Sequence, residues 1–236
     1  MTAPFHIAIV IPARDEQELL PRCLRSVQNA RVMLPPHVTS DLIVVVDQST
    51  DDTFKIAWDF VQGNGTVVET QAGCVGAARA LGVRRALERY DGPRNRCWLA
   101  NTDADCQVPA TWLQDQLTFA NAGFSAIAGI IEVDSFAEHV SFVSDRFRHS
   151  YLIHADGTHP HVHGANLGVR ADAYLQAGGW QDLFTAEDHD LWRRLQRGNY
   201  KHLSDASLCV LTSGRRAGRA PLGFAATLAA QEGIAG

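Results

Sequence analysis

Cys97-Trp98-Leu99-Ala100-Asn101-Thr102-Asp103-Ala104-Asp105 decides the fold. It is a short apolar run that ends in two carboxylates one residue apart, bounded upstream by Gly92-Pro93 and downstream by Pro109. Such a run reads as a buried strand, and in open α/β sheets ligands collect at the carboxyl ends of strands. Side chains two apart on an extended backbone face the same way, so Asp103 and Asp105 can address one cation or one diphosphate.

The chain on either side repeats the pattern. His6-Ile7-Ala8-Ile9-Val10-Ile11 and Leu42-Ile43-Val44-Val45-Val46 are β-branched runs of the kind that fill central parallel strands, and Thr66-Val67-Val68-Glu69 is a shorter one. Helical spacing follows each of them. Leu19, Leu20, Cys23, Leu24 and Val27 predict a helix over 16–29 capped by Asp15; Phe54, Ile56, Ala57 and Phe60 predict one capped by Ser49 or Thr50; Val75, Ala78, Leu81 and Leu87 predict one over 74–90. A helix after Pro109 and a fifth strand over 125–133 complete the alternation, which predicts an α/β fold with a mostly parallel sheet covered on both faces.

The second half changes character, with a helix expected over 136–153, a His-rich loop, a segment over 164–169 and a helix over 187–197. We read the 236 residues as one domain: a nucleotide-binding half (1–133), an acceptor and catalytic half (134–211) and a basic tail (212–236). The apolar share of 46% and charged share of 20% are those of a soluble globular protein, and a net charge of −5 argues against a broad nucleic-acid surface. The N-terminus lacks a signal pattern and no apolar run reaches bilayer length, so the expected compartment is the cytoplasm, with no membrane span. Five scattered cysteines without CxxC spacing predict reduced thiols with no chemistry of their own.

Four sites remain as candidates. Asp47 ends a strand, where it serves either as a turn residue or as an acceptor for base or ribose. Asp103 and Asp105 read as a surface turn or as a metal–diphosphate site, for which Mg²⁺ or Mn²⁺ suits oxygen ligands better than zinc. Thr185-Ala186-Glu187-Asp188 matches a capping box, yet Asp188 continues the stripe of Leu191, Trp192 and Leu195 into a cleft, whereas Glu187 aligns with Asp190, Arg194 and Arg197 on the polar side. His159, His161 and His163 share one face of an extended segment; without an acid or cysteine at ligand spacing they read as a pocket wall more readily than as a metal site.

Taken together, Ile9-Val10-Ile11-Pro12-Ala13-Arg14-Asp15-Glu16, Val44-Val45-Val46-Asp47-Gln48-Ser49-Thr50-Asp51, Thr102-Asp103-Ala104-Asp105 and Glu187-Asp188-His189-Asp190-Leu191-Trp192-Arg193-Arg194-Leu195 resemble family 2 glycosyltransferases, in order and through Leu211. The resemblance implies a GT-A fold and sugar transfer from a nucleotide-diphosphate donor, a UDP-sugar by preference or a GDP-sugar, to an unidentified acceptor hydroxyl. It implies nucleotide contacts from Pro12, Ala13, Arg14, Glu16, Asp47, Gly73, Arg79 and Asp103, and a metal on Asp105 with Asp103. It makes Asp188 the catalytic base and puts Gly164, Ala165, Asn166, Trp180 and Glu187 around the sugar and acceptor.

Three departures stand out. The family's Asp-Asp-Gly-Ser run is shortened to Asp47-Gln48-Ser49, Ala80 replaces an Asn, and Thr212-Ser213-Gly214-Arg215-Arg216 stands where a late His is common. Arg215 and Arg216 are therefore candidates for the diphosphate. A nucleotidyltransferase is a competing reading, but the loop after the first strand has no glycine to cradle a triphosphate. A non-catalytic sugar-nucleotide binder is the other, and the joint presence of Asp103, Asp105 and Asp188 speaks against it.

Overall fold

The computed structural model describes residues 5–219 and 223–233; within the expected tail, 220–222 and 234–236 lie outside the described residues. Seven strands form one sheet: β1 (His6–Ala13), β2 (Thr39–Asp47), β3 (Thr66–Thr70), β4 (Cys97–Asn101), β5 (Ala126–Val133), β6 (Leu167–Arg170) and β7 (His202–Thr212). Their order is β3-β2-β1-β4-β6-β5-β7, and only β6 runs against its neighbours. Beyond β1 the chain crosses to β2 on one side and later to β4 on the other. That reversal opens a crevice at the carboxyl ends of β1 and β4, the place where such sheets bind ligands.

Alternation along β1 sorts the core into two layers. Ile7, Ile9 and Ile11 face α1 (Leu20–Val32), α2 (Thr53–Val61) and α4 (Trp112–Asn121), while Ala8 and Val10 face α3 (Val75–Arg89), α6 (Ala171–Gln176) and α7 (Glu187–Arg197). The sheet is thus covered on both faces, as its β-branched runs require. Two further helices, α5 (Val143–Ser150) and α8 (Phe224–Ala230), border the crevice.

Several expected boundaries shift, each for a local reason. α1 starts four residues late, with Pro21 in its first turn, because Asp15 does not cap it. Asp15 instead adopts a left-handed backbone (φ 49°) and its carboxylate accepts the Thr50 N–H at 2.8 Å. Ser49 and Thr50 fail to cap α2 for the same reason: Ser49 Oγ accepts the Asp15 N–H at 3.0 Å. Gln17 N–H to Asp51 (3.1 Å), Asp52 N–H to Gln17 (3.2 Å) and Glu16 N–H to Thr53 Oγ1 (2.7 Å) extend this lacing, so the loops after β1 and β2 are one unit. The helix expected over 136–153 is only α5, with irregular chain before it. β7, α6 and α8 carry no expectation from the sequence; β7 is an edge strand whose first half is polar and half-exposed.

Candidate active site

Asp103 and Asp105 lie just past β4, and Thr102 N–H still bonds Val10 of β1 at 3.3 Å, so the acids sit in the crevice mouth. Their carboxylates and the Cys106 thiol bring one ligand atom each to within 4.8 Å of one another. Asp105 is the less exposed of the two acids, with 16% of its side chain open to solvent against 36% for Asp103, and loss of solvent raises its pKa to about 7, with Asp103 and Glu16 adding to the rise and Arg215 opposing it. Burial pushes the Cys106 thiol well above its usual range, with Asp105 and Asp103 adding to the rise. The two carboxylates are hard oxygen donors of the kind that Mg²⁺ or Mn²⁺ prefers.

Arginines flank both acids. Arg79 of α3 is fully buried; its Nη2 donates to Asp103 at 2.5 Å and its Nε to Glu187 of α7 at 3.2 Å, with the guanidinium over the Trp180 ring at 5.4 Å. Arg215, just past β7, forks onto Glu16 at 2.9 and 2.5 Å and reaches Asp105 at 2.9 Å. Bidentate pairing of this kind fixes orientation as well as charge.

Two cavities meet here. The first is lined by Pro12, Ala13, Arg14, Glu16, Asp47, Asp103, Asp105, Arg215 and Arg219 among others. At its far end Asp47 is buried and accepts the Gly73 and Cys74 N–H groups at 2.9 and 3.0 Å; Gly73 has φ 62°, which only glycine adopts freely. Arg14 is held by Gln48 at 2.8 Å. The second cavity, about 500 Å³, is lined by residues that include Tyr151, His161, His163, Gly164, Ala165, Glu187 and Asp188, and it shares Val75, Asp103, Phe184, Thr212, Gly223 and Phe224 with the first. Asp188 stands at the start of α7, its Oδ2 accepting the Gly164 N–H at 2.8 Å and its Oδ1 the His189 N–H at 2.7 Å. A Cβ on Gly164 would lie 2.5 Å from Arg79 Nη2, so glycine is needed where the two halves touch.

Five sequence expectations change. Arg79 is sealed beneath the acids, where it bridges Asp103 and Glu187 instead of reaching a nucleotide. Glu187 is not on the polar side: left-handed Ala186 (φ 59°) turns the start of α7 so that Glu187 is buried against Arg79. Asn166 is spent on the scaffold, donating to Ile130 and Leu208 carbonyls at 2.9 Å and accepting Trp112 Nε1 at 3.0 Å. Trp180 turns into the core after Gly178 and Gly179, both at positive φ. Arg216 leaves the diphosphate side for Glu232 at 2.5 Å.

The histidine segment shares one face, as its alternation implies, and stacks on Tyr151: His161 lies 3.9 Å from the Tyr151 ring and Tyr151 Oη meets His163 Nε2 at 2.8 Å. Burial holds His163 down at about 3. Tyr151, Phe184 and Phe224 had no site reading from the sequence: Tyr151 lies just past α5, Phe184 in irregular chain and Phe224 at the start of the short α8, so none continues an apolar period.

A model of glycosyl transferase family 2 matches residues 8–175. The chain belongs to that family. Among solved structures, the glycosyltransferase fold is matched by TarS 1–349 of S. aureus in complex with UDP-GlcNAc, at 14% identity over 93% of this chain and 62% of that one, TM-score 0.66. It is also matched by the mannosyltransferase PcManGT of Pyrobaculum calidifontis in complex with GDP-Man and Mn²⁺ (17% identity, 95% and 68% coverage, TM-score 0.63) and by GalNAc-T7 with UDP, GalNAc and Mn²⁺ (13%, 90% and 44%, 0.66). The chain thus spans about three fifths of TarS 1–349. No curated protein matches it. The architecture is GT-A, and among the described residues no helix is long and apolar enough to cross a membrane.

Proposed function

We propose that this glycosyltransferase transfers a sugar from a nucleoside diphosphate to a hydroxyl with inversion, using Asp188 as base and a divalent cation on Asp105 and Asp103. The observation that carries this reading is the continuity of the two cavities across Asp103, with the nucleotide-side acids on one wall and Asp188 on the other. Base and ribose lie along Pro12, Ala13, Arg14, Glu16, Asp47 and Gly73, and the diphosphate lies toward Asp105 and Arg215. UDP is the favoured nucleotide and GDP the alternative; neighbours with each fold alike.

The chemistry follows from the needs of the bond. An alcohol is a poor nucleophile, and a carboxylate within reach of its proton raises the rate by roughly 10²–10⁴. Asp188 takes the acceptor proton, the freed oxygen attacks the anomeric carbon opposite the phosphate, and the carbon–oxygen bond to phosphate breaks with its electron pair on the leaving oxygen. Configuration inverts. Asp105 and Asp103 would hold a divalent cation, which would supply positive charge to the departing diphosphate. The two N–H groups on Asp188 fix its direction, and Gly164 and Ala165 form the neighbouring wall of the acceptor cavity.

Asp188→Asn tests this. Nucleoside diphosphate release from a panel of UDP- and GDP-sugars should fall by about two orders of magnitude or more, with nucleotide affinity unchanged. Glu187→Gln should act through stability. Parental turnover in Asp188→Asn would overturn the assignment.

A further inference from the structure

Arg215 occupies an unusual position for a surface-segment arginine. Its guanidinium is the counter-charge of the partly buried acid that the proposed cation would use, and it sits inside the nucleotide-side cavity with less than a fifth of its side chain exposed. The grip is asymmetric. Toward Glu16 it is bidentate, 2.9 and 2.5 Å, and Glu16 is itself anchored through its N–H to Thr53 and buried. Toward Asp105 it is a single contact at 2.9 Å from Nη2, a nitrogen already shared with Glu16.

We propose that Arg215 is an exchangeable internal cation: it holds Asp105 when no metal is bound, yields that carboxylate to a divalent cation, and stays tethered to Glu16, facing the diphosphate. The inference rests on the reading of Asp105 as a metal carboxylate. Three geometric points support it. Asp105 and Asp103 lie close enough to share one ion, and Asp103 is compensated separately by Arg79, so displacement of Arg215 leaves one carboxylate to be neutralised and not two. Glu16 lies on the loop laced to the β2 loop, which gives the tether a fixed base. Gly214, before Arg215, packs against the Ser135 carbonyl and donates its N–H to Asp134 at 3.0 Å, so the backbone stays in place while the side chain turns.

The consequence is a metal site with built-in competition. In the absence of nucleotide a divalent cation must displace a guanidinium from Asp105 and binds weakly; when a diphosphate is present the displaced arginine gains a new acceptor, and cation and nucleotide bind together. Arg215 is in these terms a positioning residue for the cation, and Glu16 is its pivot.

The test is Mn²⁺ binding to the full chain without nucleotide, followed by titration calorimetry and by loss of the free-ion paramagnetic resonance signal. Arg215→Gln should bind Mn²⁺ about tenfold more tightly than the parent, and Arg215→Lys, which keeps the charge but cannot fork across Glu16 and Asp105, should fall between. In both variants added UDP should tighten Mn²⁺ binding less than it does in the parent. Arg215→Lys decides the matter if Arg215→Gln fails to fold. Equal or weaker Mn²⁺ binding in the folded Arg215 variants, with binding still abolished by Asp105→Asn, would overturn the exchange and leave the metal reading intact. Unchanged binding in Asp105→Asn, or no binding in any variant, would overturn both.

Discussion

Arg79 ties the two halves of the site through Asp103 and Glu187 while almost wholly buried. Removing one partner of a buried ion pair leaves charge without compensation, at about 3–5 kcal/mol. Arg79→Met should therefore lower the denaturation free energy by about 3 kcal/mol, and a second change, Glu187→Gln, should restore part of it because the two sites are coupled. Additive losses in urea unfolding would contradict the bridge. His163 gives a pH test. Burial holds its folded pKa near 3 against an ordinary 6.5, so between those values the unfolded chain binds the extra proton. Stability on this account is full above pH 6.5 and is lost progressively as the pH falls toward 3. His159 and His161 are shifted the same way. Asp105, raised to about 7, contributes with the opposite sign over the same range, so the test is a comparison: between pH 7.5 and 5 the urea midpoint of the parent should fall relative to that of His163→Gln, and an unchanged difference between the two would remove His163 from the account.

Helix α3 carries Val75, Ala78 and Arg79 to the crevice, and its seat on the sheet depends on Gly82, where a Cβ would lie 2.5 Å from Val10 Cγ1 and 3.0 Å from Val45 Cγ2. Alanine is the better helix former by about 1 kcal/mol, but overpacking a tight contact costs about 1–3 kcal/mol. Gly82→Ala should be net destabilising and should weaken nucleotide binding by shifting Arg79; a gain in melting temperature would show that the helix can lift without consequence. The elements themselves were legible to different degrees. The runs of β1, β2 and β4 and the Leu191, Trp192 and Leu195 stripe of α7 are period signals that tertiary context did not override. The first-turn residues of α1 and α2 were not, because Asp15, Ser49 and Thr50 satisfy each other's loops instead of their own helices. β7 was illegible for another reason: an edge strand with a polar first half shows neither a continuous apolar run nor clean alternation.

At the scale of the whole molecule, the candidate site divides along the same line. Asp47, Asp103, Asp105 and Asp188 could be singled out because each ends a strand or opens a helix, and the fold brings them to one crevice. Arg79, Glu187, Asn166 and Trp180 were assigned outward and are turned inward, since a linear sequence does not say which polar side chain finds a buried partner. The central claim is that Asp105 makes nucleotide binding depend on a divalent cation, and melting temperature tests it directly. With UDP or GDP at about a hundred times its dissociation constant, Mn²⁺ present, a ligand selective for the folded state adds about 2.7 kcal/mol. For a chain of this length that is a rise on the order of 5–10 °C. The account predicts this rise with nucleotide and Mn²⁺ together, a much smaller one with either alone, and its loss in Asp105→Asn; the same nucleotide-induced rise without metal and in Asp105→Asn would contradict it.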